Sequence, residues 1–327
     1  MRTLRGAAFV VAAILLLALA GCMAAEAKAP VQYLVGVSLA NMREPWRLML
    51  VKELREEAEK HPGLRLVFAD ATQDADKQIR DIDRLLSYGI DLLIISPSDV
   101  DRMTPEIGRV YNSDIPVIVL DRAVEGYDYS LFIGPDNQQI GRQAGEAVIR
   151  LAGGRDCNVL ELRGNPDSPV SQERIKGFHS MVDERANIQT SDIVEAGETR
   201  DGVEDLLKSH RGMLEGVDII FAHNDYMALG AYRALQKMGI KDTKIVGIDG
   251  FTGEDGGIDL VRRGTIDQTI TCPTGGKEAV QFALDILNKT SGVPKQVILR
   301  SHRLSQNNLD SYLAMLEHPY SPPEETI

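Results

Sequence analysis

The residues Ile115-Pro-Val-Ile-Val-Leu-Asp-Arg122 contain a short apolar run, 117–120, that stops at an aspartate and an arginine. An apolar run of this length, bounded by polar residues, is typical of a strand that is buried on both faces. Strands of this kind belong to parallel sheets, which helices cover on both sides. The octapeptide therefore predicts an α/β fold in which polar side chains follow the carboxyl end of a buried strand.

The same pattern continues on both sides of this run, with apolar strands alternating with amphipathic helices. A single sheet of about ten strands would be unusual. We therefore expect two doubly wound, Rossmann-like parallel-sheet domains in this chain. The predicted strands are 33–39, 64–69, 92–95, 117–120, 159–162, 188–194, 219–222, 245–248 and 266–271, and the predicted helices are 47–60, 74–88, 138–151, 170–185, 201–210, 225–238, 255–263 and 275–289.

The composition excludes several classes of protein. The chain has 327 residues and a net charge of −12, with 43% hydrophobic and 26% charged residues, which argues against disorder. It has no dense Lys/Arg block, so we expect no nucleic-acid partner. It has no phosphate-binding glycine loop, and its six histidines lack metal-binding spacing. We therefore expect no cofactor, no metal and no enzymatic activity.

The N-terminus has the features of an export signal. Arg2 and Arg5 precede an apolar run, 9–20, that is short for a membrane span. Leu19-Ala20-Gly21-Cys22 resembles the bacterial lipobox, which predicts a signal peptide at 1–21, a lipid on Cys22 and a tether at 22–32. The alternative is an uncleaved membrane anchor with a chance cysteine. With cleavage, we expect the protein in the periplasm or on the outer face of a bacterial membrane, attached by its lipid alone. Residues 318–327 are expected to form a frayed tail.

Polar residues cluster where the predicted strands end, and ligands of open α/β sheets bind beyond those ends. Each residue alone has a second interpretation, because loop residues and helix N-caps are also polar. The set as a whole combines carboxylates, guanidinium groups, an amide and the sole tryptophan, which suits a polyhydroxylated ligand. Its members are Asn41, Trp46, Arg47, Ser96, Asp121, Arg122, Arg174, Asn224, Asp249 and Cys272.

The chain from Tyr33 to about Tyr312 resembles the periplasmic sugar-binding proteins of the ribose/galactose type, which share their fold with the effector domains of LacI-type repressors. The resemblance lies in the order and spacing of several short motifs. They are Val35-Gly-Val-Ser38 with Pro45-Trp46, Ile95-Ser-Pro-Ser-Asp99, 115–122, Gly134-Pro-Asp-Asn137 with Gly141, Gln172-Glu-Arg174 with Gly177-Phe178, Ala222-His-Asn-Asp225 with Met227-Ala-Leu-Gly230, and Val246-Gly-Ile-Asp-Gly250.

This resemblance implies two lobes joined by a three-segment hinge, with crossovers near Pro135, Cys272 and Leu299. The N-terminal lobe would comprise 31–135 plus 273–299, and the C-terminal lobe 136–272 plus 300–317. A sugar would be clamped between the lobes. Within the candidate set, the resemblance assigns ring stacking to Trp46, hydroxyl contacts from the first lobe to Asp121, Arg122 and Ser96, and contacts from the second lobe to Arg174, Asn224 and Asp249.

Four positions depart from the family pattern. Arg47 stands where many members carry a second aromatic residue, and Thr199, Ile248 and Cys272 also replace frequent residue types. Three arginines at the cleft suggest a polar or acidic sugar derivative. The alternative is a neutral sugar, with Arg47 bonded to a hydroxyl or paired with Glu44. The sequence leaves both open.

The leading hypothesis is a lipid-anchored, monomeric solute-binding protein that delivers a monosaccharide or sugar derivative to an ABC transporter permease by hinge closure. A sensor that presents the bound sugar to a chemoreceptor or histidine kinase is the first alternative. A periplasmic sugar-modifying enzyme is an alternative of another class. Cys157 and Cys272 are expected to be free thiols.

Overall fold

The computed structural model describes residues 32–193, 197 and 199–317. The predicted signal peptide, Cys22 and the predicted tail lie outside these residues. The strands are β1 (Tyr33–Leu39), β2 (Leu64–Asp70), β3 (Leu92–Ser96), β4 (Val117–Leu120), β5 (Leu131–Pro135), β6 (Cys157–Leu162), β7 (Ile188–Ile193), β8 (Ile219–Ala222), β9 (Lys244–Asp249), β10 (Gln268–Thr271), β11 (Gln296–Leu299) and β12 (Arg303–Ser305).

Helices connect most of these strands. They are α1 (Pro45–Glu59), α2 (Ala75–Ser87), α3 (Val100–Tyr111), α4 (Asn137–Ala152), α5 (Pro169–Val182), α6 (Arg200–Ser209), α7 (Asp225–Met238), α8 (Gly257–Arg262), α9 (Gly276–Leu287) and α10 (Leu309–Glu317), with a 3₁₀ turn at Arg211–Leu214.

The strands form two six-stranded sheets within the described residues. The first has the order β11-β5-β4-β3-β1-β2 and the second β12-β10-β9-β8-β6-β7. All pairs are parallel except β10 with β12, which is antiparallel. The predicted fold class of two doubly wound parallel-sheet lobes is therefore confirmed.

The apolar runs are uniform because both faces of each sheet are covered. In β4, Ile118 and Leu120 pack into the core beneath α1 and α9, whereas Val117 and Val119 pack into the core on the opposite face with Met103 of α3. Successive strand side chains point to opposite faces, so a strand covered on both sides must be apolar at every position.

The chain passes between the two sheets three times. It leaves the first sheet after β5, leaves the second after β10 to form α9 beside α1, and passes from β11 in the first sheet to β12 in the second. Each sheet therefore contains strands from distant parts of the sequence. Among the described residues, no helix combines the length and the apolar composition needed to cross a membrane.

The predicted elements match the observed ones to within a few residues, but several elements were not predicted. The strands β5, β11 and β12 and the helices α3 and α10 are additions. The edge strand β11 is only partly buried, and Ile298 is 48% exposed, so it lacks the apolar signal of the central strands. Helix α3 contains Pro105, a residue that disfavours helix interiors.

Candidate functional site

Two aspartates at the carboxyl ends of strands have unusual backbone conformations. Asp121, directly after β4, has φ 69°, and Asp249, the last residue of β9, has φ 124°. An L-residue adopts such values only at a cost in free energy, and residues held in this way concentrate at functional sites. One of these aspartates follows a strand of the first sheet and the other ends a strand of the second. Both line the same cavity.

Arg47 forms a buried ion pair with Asp121. It lies in the first turn of α1 and is 2% exposed. Its Nη2 donates to Oδ2 of Asp121 at 2.8 Å, and its Nη1 donates to Oγ of Ser96 at 2.6 Å. Its Nε lies 4.0 Å from Oε2 of Glu44 and is buried without a hydrogen-bond partner among the described residues. Arg47 is therefore held by Asp121 and Ser96 rather than by Glu44.

Arg122 and Trp46 complete the wall formed by the first lobe. Nη1 of Arg122 donates to the carbonyl oxygens of Pro97 and Ser98, at 3.2 and 3.1 Å, so the side chain is tied to the end of β3. Nε1 of Trp46 donates to the carbonyl oxygen of Cys272 at 3.0 Å. The Trp46 ring packs against apolar cores of both lobes, so this side chain bridges them.

Arg174 is the central cation of the second lobe. It lies on α5, is 8% exposed, and uses Nε, Nη1 and Nη2 within the protein. These atoms donate to Oδ1 of Asn137 at 3.0 Å, to the carbonyl oxygen of His223 at 2.6 Å and to Sγ of Cys272 at 3.3 Å. The guanidinium is therefore fixed before any ligand arrives.

Two glycines set the position of the helix that carries Arg174. A Cβ on Gly177 of α5 would overlap the backbone of Gln138 in α4, and a Cβ on Gly141 of α4 would overlap the backbone at Arg174. Only glycine allows two helix backbones to approach this closely. This contact places Arg174 beside Asn137.

The loops after β8 and β9 are fixed by local hydrogen bonds. Oδ1 of Asn224 accepts from the backbone N–H of Met227 at 2.7 Å, so Asn224 is the N-cap of α7 and also lines the cavity. The buried Asp225 accepts from the backbone N–H of Gly250 at 2.7 Å and from Oγ1 of Thr269 at 2.8 Å. Asp225 thus supports the turn that presents Asp249.

A cavity of about 420 Å³ lies between the two lobes. Volumes of this size are typical of small-molecule sites. Residues after β1, β2 and β4 form one wall, and residues after β6, β7, β8 and β9 form the other. The lining residues are Glu44, Pro45, Trp46, Arg47, Gln73, Asp121, Arg122, Gly164, Asn165, Pro166, Ser168, Val170, Ser171, Arg174, Gly197, His223, Asn224, Met227 and Asp249.

Formal charges on the cavity wall balance. The wall carries Arg47, Arg122 and Arg174 against Glu44, Asp121 and Asp249. The two cations of the first lobe lie beside Asp121, with Nε of Arg122 3.9 Å from its Oδ2. The site is therefore strongly polar without a net positive charge.

Three predicted residues lie around the cavity but not among its lining residues. The side chain of Asn41 binds Glu44 through Nδ2 at 2.8 Å and accepts from the backbone N–H groups of Arg43 and Glu44. Ser96 is fully buried behind Arg47. Cys272 contacts Arg174 and Trp46, and burial raises the pKa of its thiol to about 12. Cys157 and Cys272 are both free, as expected.

A buried network of charged residues lies behind the wall of the second lobe. Glu161 in β6 is completely buried. Burial opposes its ionisation, but hydrogen bonds from His179, His223 and Arg163 outweigh that effect and lower its pKa. The Glu161 hydrogen bond, aided by Asp183, raises the pKa of His179 to about 9. Among the described residues, no cluster of acidic, histidine or cysteine side chains is arranged to hold a metal ion.

Comparison with protein-family models matches residues 35–291 to the periplasmic binding protein domain. The chain belongs to the periplasmic binding protein family. Among curated relatives of this periplasmic binding protein, the ribose import binding protein of Bacillus subtilis is 31% identical over 221 residues, which cover 67% of this chain and 70% of the relative. The galactofuranose-binding protein of Escherichia coli is 28% identical over 241 residues, which cover 71% and 74%.

Solved structures agree with this family. The fructose-binding periplasmic domain of a hybrid two-component system is 31% identical, with a TM-score of 0.78, and the match covers 88% of this chain and 95% of that domain. A Mycobacterium smegmatis protein in complex with β-D-fucofuranose is 26% identical, with a TM-score of 0.77 and coverage of 88% and 96%. The curated relatives named here are binding proteins, in agreement with the expectation that this periplasmic binding protein is not an enzyme.

Several lining residues of this periplasmic binding protein were not predicted from the sequence. They are Glu44, Pro45, Gln73, the 164–168 loop, Val170, Ser171, Gly197, His223 and Met227. The signal for His223 was present, because it directly follows β8, next to the predicted Asn224. The 164–168 loop has the Gly, Asn and Pro residues of any surface loop, and nothing in its sequence marks it as part of a binding site.

Proposed function

We propose that this periplasmic binding protein binds a neutral monosaccharide or polyol between its lobes and delivers it to an ABC transporter permease. The observation that carries the proposal is the cavity itself. Side chains from the carboxyl ends of both sheets meet around about 420 Å³, and they include the sole tryptophan, three arginines and three carboxylates. Such groups donate to and accept from sugar hydroxyls, and a tryptophan face packs on the C–H face of a sugar ring.

The distribution of charge supports a neutral ligand over an acidic one. Arg47 is paired with Asp121, and Arg174 is bound by Asn137, Cys272 and the backbone of His223. A carboxylate ligand would compete with these partners on a wall that also carries Glu44 and Asp249. The buried Nε–H of Arg47 offers a donor that a hydroxyl oxygen could satisfy.

The sugars named for the relatives fit this ligand class. Those proteins bind ribose, galactofuranose, fructose or fucofuranose, and the role in import supports transport. In this proposal the three passages between the lobes act as a hinge, with the lobes at 31–135 plus 273–299 and 136–272 plus 300–317. The ligand bridges both walls and therefore favours the closed state through its differential affinity. Lipid attachment at Cys22 and a monomeric state are parts of the same proposal.

A sensor is the second candidate, and one observation favours it. The fructose-binding relative is a periplasmic domain of a hybrid two-component system, with 31% identity and a TM-score of 0.78. The binding step is the same in both candidates, and they differ in the partner that recognises the closed form. Pull-down of the sugar-loaded protein with a permease or with a histidine kinase separates them.

Ligand identity is tested by mass spectrometry of small molecules that co-purify with residues 23–327, followed by a thermal-shift screen. The screen contains neutral pentoses and hexoses, polyols, inositols and sugar acids. We expect neutral compounds to raise Tm and sugar acids to leave it unchanged. A preference for sugar acids would overturn the neutral assignment, and recovery of a chemically altered ligand would establish an enzyme instead.

A further inference from the structure

We propose that Ser171 and His223 form a hydroxyl-binding subsite on the second-lobe wall, in which Nδ1 of His223 accepts from the ligand and Ser171 Oγ donates to it. This inference rests on the sugar-binding function proposed above and assigns two residues that determine specificity. Both residues line the cavity, and they are 5% and 3% exposed.

The distance between the two side chains leaves room for a ligand hydroxyl. Ser171 lies in the first turn of α5, and His223 follows β8. Oγ of Ser171 is 3.5 Å from Nδ1 of His223, at the outer limit for a hydrogen bond. Neither group satisfies the other well, so both keep hydrogen-bonding capacity toward the cavity.

Glu161 determines which nitrogen of His223 carries the proton. Oε2 of Glu161 accepts from Arg163 at 2.7 Å and from Nε2 of His179 at 2.9 Å. Oε1 of Glu161 lies 2.9 Å from Nε2 of His223. An ionised carboxylate can only accept, so Nε2 of His223 must carry a hydrogen. Nδ1 of the neutral ring is then a bare acceptor.

The neutral state of His223 is favoured by its surroundings. Burial lowers the pKa of this imidazole, and the cations Arg174 and Arg163 act in the same direction, against the opposing effect of Glu161. His223 therefore cannot serve as a second donor on this wall. The wall presents one acceptor beside one donor, and a hydroxyl can satisfy both at once. A ligand without a hydroxyl at this point leaves the buried pair unsatisfied, which costs affinity.

Two substitutions of His223 separate the roles of its nitrogens. In His223→Asn the amide oxygen can take the place of Nδ1, so the acceptor is kept and the bond to Glu161 is lost. In His223→Gln the longer amide can donate to Glu161 in place of Nε2, but no atom replaces Nδ1 as the acceptor for the ligand. By calorimetry with the tightest binder among D-ribose, D-fructose, L-arabinose and myo-inositol, we expect the Gln variant to bind about tenfold more weakly than wild type. The Asn variant should bind more tightly than the Gln variant.

Ser171→Ala provides a test that leaves the buried network intact, and Ser180→Ala on the same helix is its control. Ser180 donates to the carbonyl oxygen of Gly177 and is not a lining residue. We expect Ser171→Ala to weaken binding several-fold and Ser180→Ala to leave it unchanged. The monodeoxy analogue that lacks the contacted hydroxyl should bind Ser171→Ala and wild type equally, because the contact is absent in both.

The outcomes distinguish this inference from the function on which it rests. If wild type binds none of the four compounds, both fail. If wild type binds one of these compounds, and Ser171→Ala and His223→Gln bind it as tightly as wild type does, the subsite alone is overturned. The subsite is also overturned if every deoxy analogue shows the same Ser171→Ala penalty. Conversion of the ligand into a product by wild type would overturn the binding function and the subsite together.

Discussion

Asp121 combines two roles that compete for one carboxylate. Its Oδ2 neutralises the buried Arg47, and its position on the cavity wall makes it available to a ligand. The positive φ of 69° turns the backbone directly after β4, so that the side chain points back toward α1. A buried arginine without its carboxylate would be strongly destabilising, which links the binding site to the stability of the first lobe.

Removal of either central charged group should abolish tight binding. We expect Asp121→Ala and Arg174→Ala each to weaken sugar affinity by at least about a hundredfold, because each leaves buried partners unpaired. The exposed Asp101→Ala and Arg150→Ala are the matched controls and should bind normally. Calorimetry measures affinity, and circular dichroism checks the fold. Wild-type affinity in both test variants would mean that the ligand binds elsewhere.

His179 should titrate far above an ordinary histidine. Both of its nitrogens donate to carboxylates, Nε2 to Glu161 at 2.9 Å and Nδ1 to Asp183 at 2.7 Å, so the folded state prefers the imidazolium. A folded pKa of about 9 against the ordinary histidine pKa of 6.5 means that this stabilisation is complete below pH 6.5. The stabilisation is lost as pH rises through about 9, a fall in unfolding free energy of at most roughly 3 kcal/mol.

Imidazole NMR titration measures this pKa directly. Urea unfolding at several pH values measures how the unfolding free energy falls as pH rises. This pH-dependent fall should be absent in His179→Gln. The same pH-dependent fall in unfolding free energy should persist in His210→Gln, a substitution at an exposed histidine. A His179 midpoint at its ordinary value would contradict the imidazolium assignment and would make Arg163 the main partner of Glu161.

At the residue scale, the sequence predicted the polar residues at strand ends but not their pairing. Asp121, Arg122, Asn224 and Asp249 follow apolar runs, and Arg174 lies on the helix after another such run. The structure places all five at the cavity. The partner of Arg47 could not be predicted, because its distance from Asp121 depends on how α1 packs over β3 and β4. The same holds for the placement of Asn41, Ser96 and Cys272 outside the lining.

The contact between α4 and α5 controls the site at the scale of the elements. Gly141 and Gly177 face each other's helix backbone, so the two helices approach without intervening side chains. Helix α4 carries Asn137 at its first position, and α5 carries Arg174, which Asn137 binds at 3.0 Å. A change in helix separation therefore moves both members of this hydrogen bond.

Gly177→Ala should separate these helices. The added methyl would overlap the Gln138 carbonyl, and such overpacking costs about 1–3 kcal/mol of stability. We expect a lower urea midpoint and weaker sugar binding, because Arg174 moves with α5. Gly212→Ala is the control, since an added Cβ there meets nothing within 4 Å. Equal affinity and stability in the Gly177 variant would show that the helices can move apart without cost.

Most elements with a strong apolar period were predictable, although the buried strand β5 was missed, and short edge strands defined by pairing were not predicted. The strands β4 and β8 and helix α7 have the predicted bounds. The strands β11 and β12 are short and lie at sheet edges, where they are defined by their partners β5 and β10 rather than by their own sequence. Sequence patterns report burial, and edge strands are only partly buried.

On the scale of the whole molecule, Trp46 connects the two lobes. It belongs to α1 of the first lobe, and its Nε1 donates to the Cys272 carbonyl, directly after β10 of the second. It is also the sole tryptophan and lines the cavity. In the proposed mechanism its fluorescence therefore reports on both lobe closure and ligand contact.

We expect saturating sugar to shift the emission of Trp46 to shorter wavelength, because the ligand displaces water from the indole face. The same sugar concentration should leave the emission of Arg174→Ala unchanged. Trp46→Phe should remove the signal and weaken affinity less than Trp46→Ala, because the aromatic face is kept. A sugar-induced emission shift in Arg174→Ala would contradict the assignment of Trp46 as a reporter of binding. So would the absence of a shift in wild type at sugar concentrations where calorimetry detects binding.

The three passages between the lobes also affect how the chain folds. In the first sheet β5 pairs with β11, and in the second β10 pairs with β12, so each sheet receives its edge strand from residues 296–305. Neither lobe can complete its sheet until that segment is available, and contacts between distant residues form slowly. Both lobes therefore pass through intermediates with exposed strand edges as the chain folds, the state in which aggregation competes with folding. Synthesis delivers β1–β5 of the first sheet before β6–β10 of the second, yet both sheets stay incomplete until residues 296–305 are made.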